Sequence, residues 1–194
     1  MDINEAIKDL QALKIHRYRR MWRSFMEKYD CQVICELGVF NGDNFDRMIQ
    51  HGPLVAVAVD SWIDDGIIAR NDSGYSQDRL DKQYESFKSR MADNPAVQIH
   101  RAYTFDIAKE YPDEYFDLIY VDADHTFEGC LKDVECWYPK VKSGRFFTGD
   151  DYTNSTAPKT GVKFGVIKAV NQFANANGLT VHEMAGRGWV IVKP

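Results

Sequence analysis

Phe116-Asp117-Leu118-Ile119-Tyr120-Val121-Asp122-Ala123-Asp124-His125 is an apolar run that ends abruptly in carboxylates and a histidine. One supersecondary unit later the pattern returns in Arg145-Phe146-Phe147-Thr148-Gly149-Asp150-Asp151-Tyr152, after the turn Lys142-Ser143-Gly144. Between the two lies a helix-patterned stretch, about Phe127 to Tyr138. Strands joined through a helix run parallel, so Asp122 and Asp150 are expected at the C-terminal ends of neighbouring strands. Open α/β sheets gather their ligands at those ends. Carboxylates from two strand ends beside a histidine point to a metal or acid–base site.

The rest of the chain fits the same architecture. Val33 to Val39 reads as a buried strand, followed by a turn and a helix from about Asp43 to Gln50. Leu54 to Asp60 is an almost continuous apolar run, as in a parallel strand buried on both faces. Tyr84 to Met91 belongs to a helix, Val97 to His100 to a strand, and Gly165 to Asn175 to another helix. Strands near Leu179–Met184 and Trp189–Lys193 read as an antiparallel hairpin around Gly186-Arg187-Gly188. Alternating strands and helices predict a doubly wound α/β domain, with a seven-stranded, mostly parallel sheet and the hairpin at one edge. Residues 1–30 form a helical extension, with apolar positions at helical spacing from Ile3 to about Lys28, and residues 31–194 form the domain. Two polar loops, Trp62 to Gln77 and Tyr152 to Thr160, follow strand ends and are expected to rim one mouth.

Composition narrows the class. The chain has 194 residues, 44% hydrophobic and 27% charged, which suits one globular domain. A net charge of −5 leaves no electrostatic footprint for nucleic acid. The sequence has no stretch of membrane-span length and no signal-peptide core, so the cytoplasm is the expected compartment. Its four cysteines lack zinc spacing and are read as free thiols. The basic run His16 to Arg23 is read as a solvated or partner-facing helix face covering the sheet edge, which makes homo-oligomerisation through the N-terminal helix a candidate interaction.

The first strand ends in Glu36-Leu37-Gly38-Val39-Phe40-Asn41-Gly42. Glycines at such a turn let the backbone approach a nucleoside closely. The spacing is not the Gly-x-Gly-x-x-Gly of dinucleotide binding. Asp60, at the end of the second strand about twenty residues on, can accept hydrogen bonds from both ribose hydroxyls.

On these residues the chain resembles the class I S-adenosylmethionine-dependent methyltransferases, with Glu36 to Gly42 as the first motif and Asp60 as the ribose acid. The segments Phe116 to His125 and Gly149 to Tyr152 resemble, more narrowly, the metal-dependent O-methyltransferases that act on catechols and macrolide sugars. The resemblance implies a Rossmann-like fold, S-adenosylmethionine as cofactor, and a divalent cation, Mg²⁺, held by Asp122, Asp150 and Asp151. It implies His125 as general base working with Asp122, and a small-molecule acceptor hydroxyl. His125 as a ligand-orienting or cofactor-contacting residue stays open beside that role. For the cofactor it implies Glu36, Gly38, Asn41, Gly42, Asp60 and Asp122, with Ser61, Trp62 and Thr104 bordering the adenosine; Trp62 as a core aromatic is equally in keeping with its position. Asn44 is a further candidate at the methionine end. Asp124 is expected to cap the helix near Phe127 or to support the ligands.

Two other functions stay open on the sequence: a nicotinamide-dependent oxidoreductase on a similar sheet, and a non-catalytic nucleoside-binding module. The missing dinucleotide motif counts against the first. Crowded carboxylates count against the second, because a binding module has no use for them.

Overall fold

The computed structural model describes residues 2–12, 23–64, 74–184 and 187–194. Strands β1 (Val33–Leu37), β2 (Val55–Asp60), β3 (Val97–Arg101), β4 (Phe116–Val121), β5 (Val141–Gly149), β6 (His182–Met184) and β7 (Gly188–Val192) form one sheet. Its order is β3-β2-β1-β4-β5-β7-β6. Pairing is parallel from β3 to β5, and β7 lies antiparallel to both β5 and β6. The expected doubly wound sheet with its closing hairpin is the fold.

The period-two pattern of the strands explains why helices cover both faces. Ala56, Ala58, Leu118 and Tyr120 point into one core, with Phe45 and with Leu80, Phe87 and Met91 of helix α2 (Gln77–Met91). Helix α1 (Ile3–Ala12) packs on that face through Ala6 and Leu10, against β6 and β7. Val57, Val59, Ile119 and Val121 point the other way, toward helix α3 (Phe127–Trp137) and helix α4 (Val166–Ala176). Gly165 fixes how α4 meets α3, because a Cβ there would fall 2.3 Å from the Phe127 backbone nitrogen.

Register sets the site. Leu37 pairs with Val59 on one side and Val121 on the other, and Val121 pairs with Gly149. The residues that follow, Asp60, Gly38, Asp122 and Asp150, therefore end adjacent strands in one row. Sheet order reverses between β2 and β4 around β1, which opens the crevice at this row.

Several boundaries differ from the sequence reading. Lys142-Ser143-Gly144 is not a turn ahead of β5 but a bulge inside it, since Phe116 pairs with Val141 and Leu118 with Phe146. Gly144 takes φ +71°, and its N–H donates to the Lys193 carbonyl, which keeps the bulged residues in the sheet. The first closing strand begins at His182 rather than Leu179. Asp124 does not cap α3: Thr126 does, its hydroxyl accepting from the Gly129 N–H, while Asp124 accepts from the Thr126 N–H at 2.9 Å. In the N-terminal segment the described residues are helical over Ile3–Ala12 and over 23–28. Most of the basic run, His16 to Trp22, lies outside the described residues, and Arg23 pairs with Glu27 at 2.8 Å. The cysteines are free, three of them buried. Among the described residues no helix is long and apolar enough to cross a membrane.

Candidate active site

Gly38 closes the junction of β1 and β4. Its φ is +82°, and a Cβ would fall 1.9 Å from the Asp122 carbonyl oxygen, so only glycine lets the two strand ends touch. Just beyond it, Asp60 holds the next turn. One oxygen accepts from the Phe40 N–H at 2.7 Å and the other from the Trp62 N–H at 2.8 Å. Burial holds the Asp60 carboxyl above the ordinary carboxylate range, although the Trp62 and Phe40 N–H groups oppose the shift. No helix starts there, so Asp60 is a turn-forming acid at the mouth of the crevice.

A cavity of about 560 Å³ opens along this row, a volume typical of small-molecule sites. Its lining includes Gly38, Asp60, Ser61 and Trp62, Thr104 and Asp133, and Asp122 and His125, but not Asp150 or Asp151. Ser61 is partly exposed there. Trp62 is 1% exposed: its indole N–H donates to the Phe40 carbonyl at 2.7 Å, and its rings pack on Tyr84 and Phe87. It borders the cavity as a core aromatic. Thr104 is buried, its hydroxyl donating to Asp133 Oδ1, and its carbonyl accepts from the Trp137 indole.

Asp133 was not singled out in the sequence. It occupies the apolar stripe of α3, with Cys130, Val134 and Trp137 at helical spacing, and an acid in such a stripe is the signal that marks it. Burial pushes its carboxyl up to about 7, with the Thr104 hydroxyl opposing.

His125 Nε2 lies 3.1 Å from Asp122 Oδ1 and 3.4 Å from Asp151 Oδ2. Ligand-type atoms of Asp122, His125 and Asp151 all fall within 4.8 Å of one another. Burial pushes the Asp122 carboxyl up to about 7; the His125 hydrogen bond lowers it, and the charges of Asp150 and Asp151 raise it further. Asp150 therefore belongs to the same electrostatic cluster, although its Oδ1 accepts from the Asp151 N–H at 2.8 Å. Asp151 sits at φ +51°, with Arg187 3.5 Å away on the hairpin. Phe164, which no sequence pattern marked, covers the His125 ring at 4.9 Å between centroids.

The remaining candidates stand behind the cavity. Glu36 is buried under it and accepts from the Asn44 amide at 2.9 Å. Gly42, at φ +82°, passes against Phe87, where a Cβ would come within 2.4 Å. Asn41 folds back on Asp43. None of these three is among the cavity-lining residues.

A sheet of this order, with a glycine turn, a turn-holding acid and a carboxylate cluster along one row, defines a nucleoside-using enzyme of the methyltransferase class. The chain belongs to the methyltransferase family: the family profile described as a methyltransferase domain matches residues 35–152. No curated protein sequence matches the chain. Solved structures share its fold. The O-methyltransferase NovP superposes with a TM-score of 0.64 at 15% identity, covering 91% of this chain and 78% of its own. An O-methyltransferase from Bacillus cereus in complex with SAH gives 0.63 at 12% identity, over 98% and 90% of the two chains. The O-methyltransferase TomG from Streptomyces achromogenes, in complex with SAM, gives 0.61 at 16% identity, over 99% and 89%. The fold is thus that of the class I S-adenosylmethionine-dependent enzymes, and the family match does not favour a nicotinamide-dependent oxidoreductase.

Proposed function

We propose that this protein is a cytoplasmic enzyme that transfers the methyl group of S-adenosylmethionine to a hydroxyl of a small molecule, of sugar or polyphenol type. A divalent cation, Mg²⁺, would be held by Asp122, Asp150 and Asp151. The observation that carries the reading is that one cavity is lined both by the Gly38–Asp60 turn and by the Asp122–His125 pair. A cofactor bound against the Asp60 turn could thereby present its methyl group to an acceptor beside Asp122 and His125.

The residues suit both groups. The Asp60 oxygens, which accept from the Phe40 and Trp62 N–H groups, retain acceptor capacity for ribose hydroxyls. Gly38, Ser61 and Thr104 would border the nucleoside, Trp62 would back it, and Glu36, Asn41 and Gly42 would shape the turn from behind. Asp122, Asp150 and Asp151 crowd negative charge around one point, with Arg187 as the cationic neighbour nearby. A hard cation relieves such crowding and prefers oxygen ligands. When bound, S-adenosylmethionine supplies an electrophilic methyl, and a divalent cation supplies the positive charge that makes a hydroxyl acidic. His125 would take the hydroxyl proton, which at Nε2 lies between two carboxylates that favour the charged ring. Phe164, packed on the His125 ring, would help exclude water from that transfer.

Incubating the full chain with methyl-labelled S-adenosylmethionine and a panel of sugar and catechol acceptors tests this. Label on an oxygen, lost with EDTA and restored by Mg²⁺, is expected. Transfer indifferent to EDTA would remove the cation, and transfer to nitrogen or carbon would overturn the acceptor class.

A further inference from the structure

Two cations converge on one aromatic ring at the rim of the cavity. Tyr75 stacks on Phe40, with centroids 5.2 Å apart and planes 14° from parallel. Phe40 lines the cavity, as does Leu80, the neighbour of Arg79. The Arg79 guanidinium carbon lies 3.8 Å from the Tyr75 centroid, and Lys159 Nζ lies 4.0 Å from it. Arg79 comes from α2 and Lys159 from the segment after β5, so tertiary structure brings them together. Both are exposed, and among the described residues neither has a carboxylate within ion-pair distance. Acids outnumber bases in this chain, 29 to 24, so carboxylate partners are plentiful elsewhere. Two like charges on one ring repel, and a cation–π contact positions each charge without neutralising it. An anion of the right size would satisfy both.

The segment that delivers Lys159 also covers the proposed reaction end. Phe164 packs on His125, and the Thr160 methyl lies 3.4 Å from where a Cβ on Gly74 would stand. Segments 152–165 and 74–79 therefore approach each other beside the cavity, whose lining includes Phe40, Leu80 and His125.

We propose that Arg79 and Lys159, held over Tyr75, form an anion subsite that binds a carboxylate, phosphate or sulfate group on the methyl acceptor. The acceptor class is then a hydroxylated small molecule with an anionic group, held by that group while its hydroxyl faces Asp122 and His125. This assignment rests on the methyltransferase reading above.

The test is an NMR titration of the ¹⁵N-labelled full chain with sodium phosphate, sodium sulfate and sodium acetate, with ionic strength held constant by sodium chloride. Saturable shifts at the Tyr75, Arg79 and Lys159 amides are expected for at least one anion. In the Arg79→Gln/Lys159→Gln double variant its Kd should weaken at least tenfold, with S-adenosylhomocysteine affinity within twofold of the parent. The tightest of the three anions identifies the acceptor's group. Unsaturable shifts with all three, or an unchanged Kd in the double variant, would overturn the subsite. A tenfold loss of S-adenosylhomocysteine affinity in the variant would assign the cations to the cofactor's carboxylate and overturn the acceptor assignment. Failure of the parent to bind S-adenosylhomocysteine would instead remove the methyltransferase reading, whatever the anion shifts show.

Discussion

Gly38 and Asp122 meet backbone to backbone: a Cβ on Gly38 would stand 1.9 Å from the Asp122 carbonyl oxygen. That contact joins the end of β1 to the end of β4 at the point where sheet order reverses, and it sets the floor of the cavity. Gly38→Ala must move backbone rather than a side chain, and it adds the strain of φ +82°. A loss of about 3 kcal/mol in urea unfolding is expected. An unchanged midpoint would mean that the strand ends do not touch.

Asp60 holds backbone N–H groups at the mouth, so its removal should open the turn as well as delete the proposed ribose partner. Asp60→Ala is expected to weaken S-adenosylhomocysteine binding at least tenfold by calorimetry, roughly 1.4 kcal/mol or more. A normal dissociation constant would take Asp60 out of the cofactor site.

Asp133 gives the fold a pH dependence opposite in sign to that of a salt-bridged acid. Its folded pKa, about 7, stands above the 3.8 of an unperturbed aspartate. Between those values the unfolded chain has released the proton while the folded chain keeps it. Stability is therefore expected to fall as pH rises from about 4 to about 7, by on the order of a few kcal/mol. Asp133→Asn, neutral in both states, should flatten that slope in urea titrations. An equal slope in the variant would show that Asp133 is ionised in the fold.

Asp117 is a buried acid at the opposite end of β4, with a structural task. It accepts from the Gln32 and Val33 N–H groups at 3.0 and 2.8 Å and pairs with Lys142 at 2.9 Å and Arg145 at 3.4 Å. Asp117→Ala should cost about 3 kcal/mol of stability. S-adenosylhomocysteine affinity per folded molecule should stay at the parent value; a large drop would tie this end of the sheet to the site.

The contrast between Asp117 and Asp122 shows what the sequence could say. Both flank one apolar run, and position along a parallel strand distinguishes them, because only the C-terminal end faces the crevice. The same logic exposed Gly38, Asp60 and Asp150, whose alignment in one row follows from register. Asp133 was partly legible, as an acid within an apolar helical stripe. Phe164 over His125 and the meeting of Arg79 with Lys159 were not. They join side chains from distant segments whose contact depends on loop paths, and loop paths carry no periodicity. The bulge at Lys142–Gly144 was hidden for a related reason: Ser-Gly reads locally as a turn, while tertiary pairing with Lys193 holds it in the sheet.

Joint binding of a nucleoside cofactor and a divalent cation is what the proposed reaction requires. Calorimetric titration of EDTA-treated full chain with S-adenosylhomocysteine, then MgCl₂, tests it most directly when repeated on Asp150→Asn/Asp151→Asn. Asparagine tolerates the positive φ at position 151 and removes both charges. S-adenosylhomocysteine should bind both proteins, and Mg²⁺ the parent alone. No S-adenosylhomocysteine binding by the parent, or equal Mg²⁺ binding by both, would contradict it.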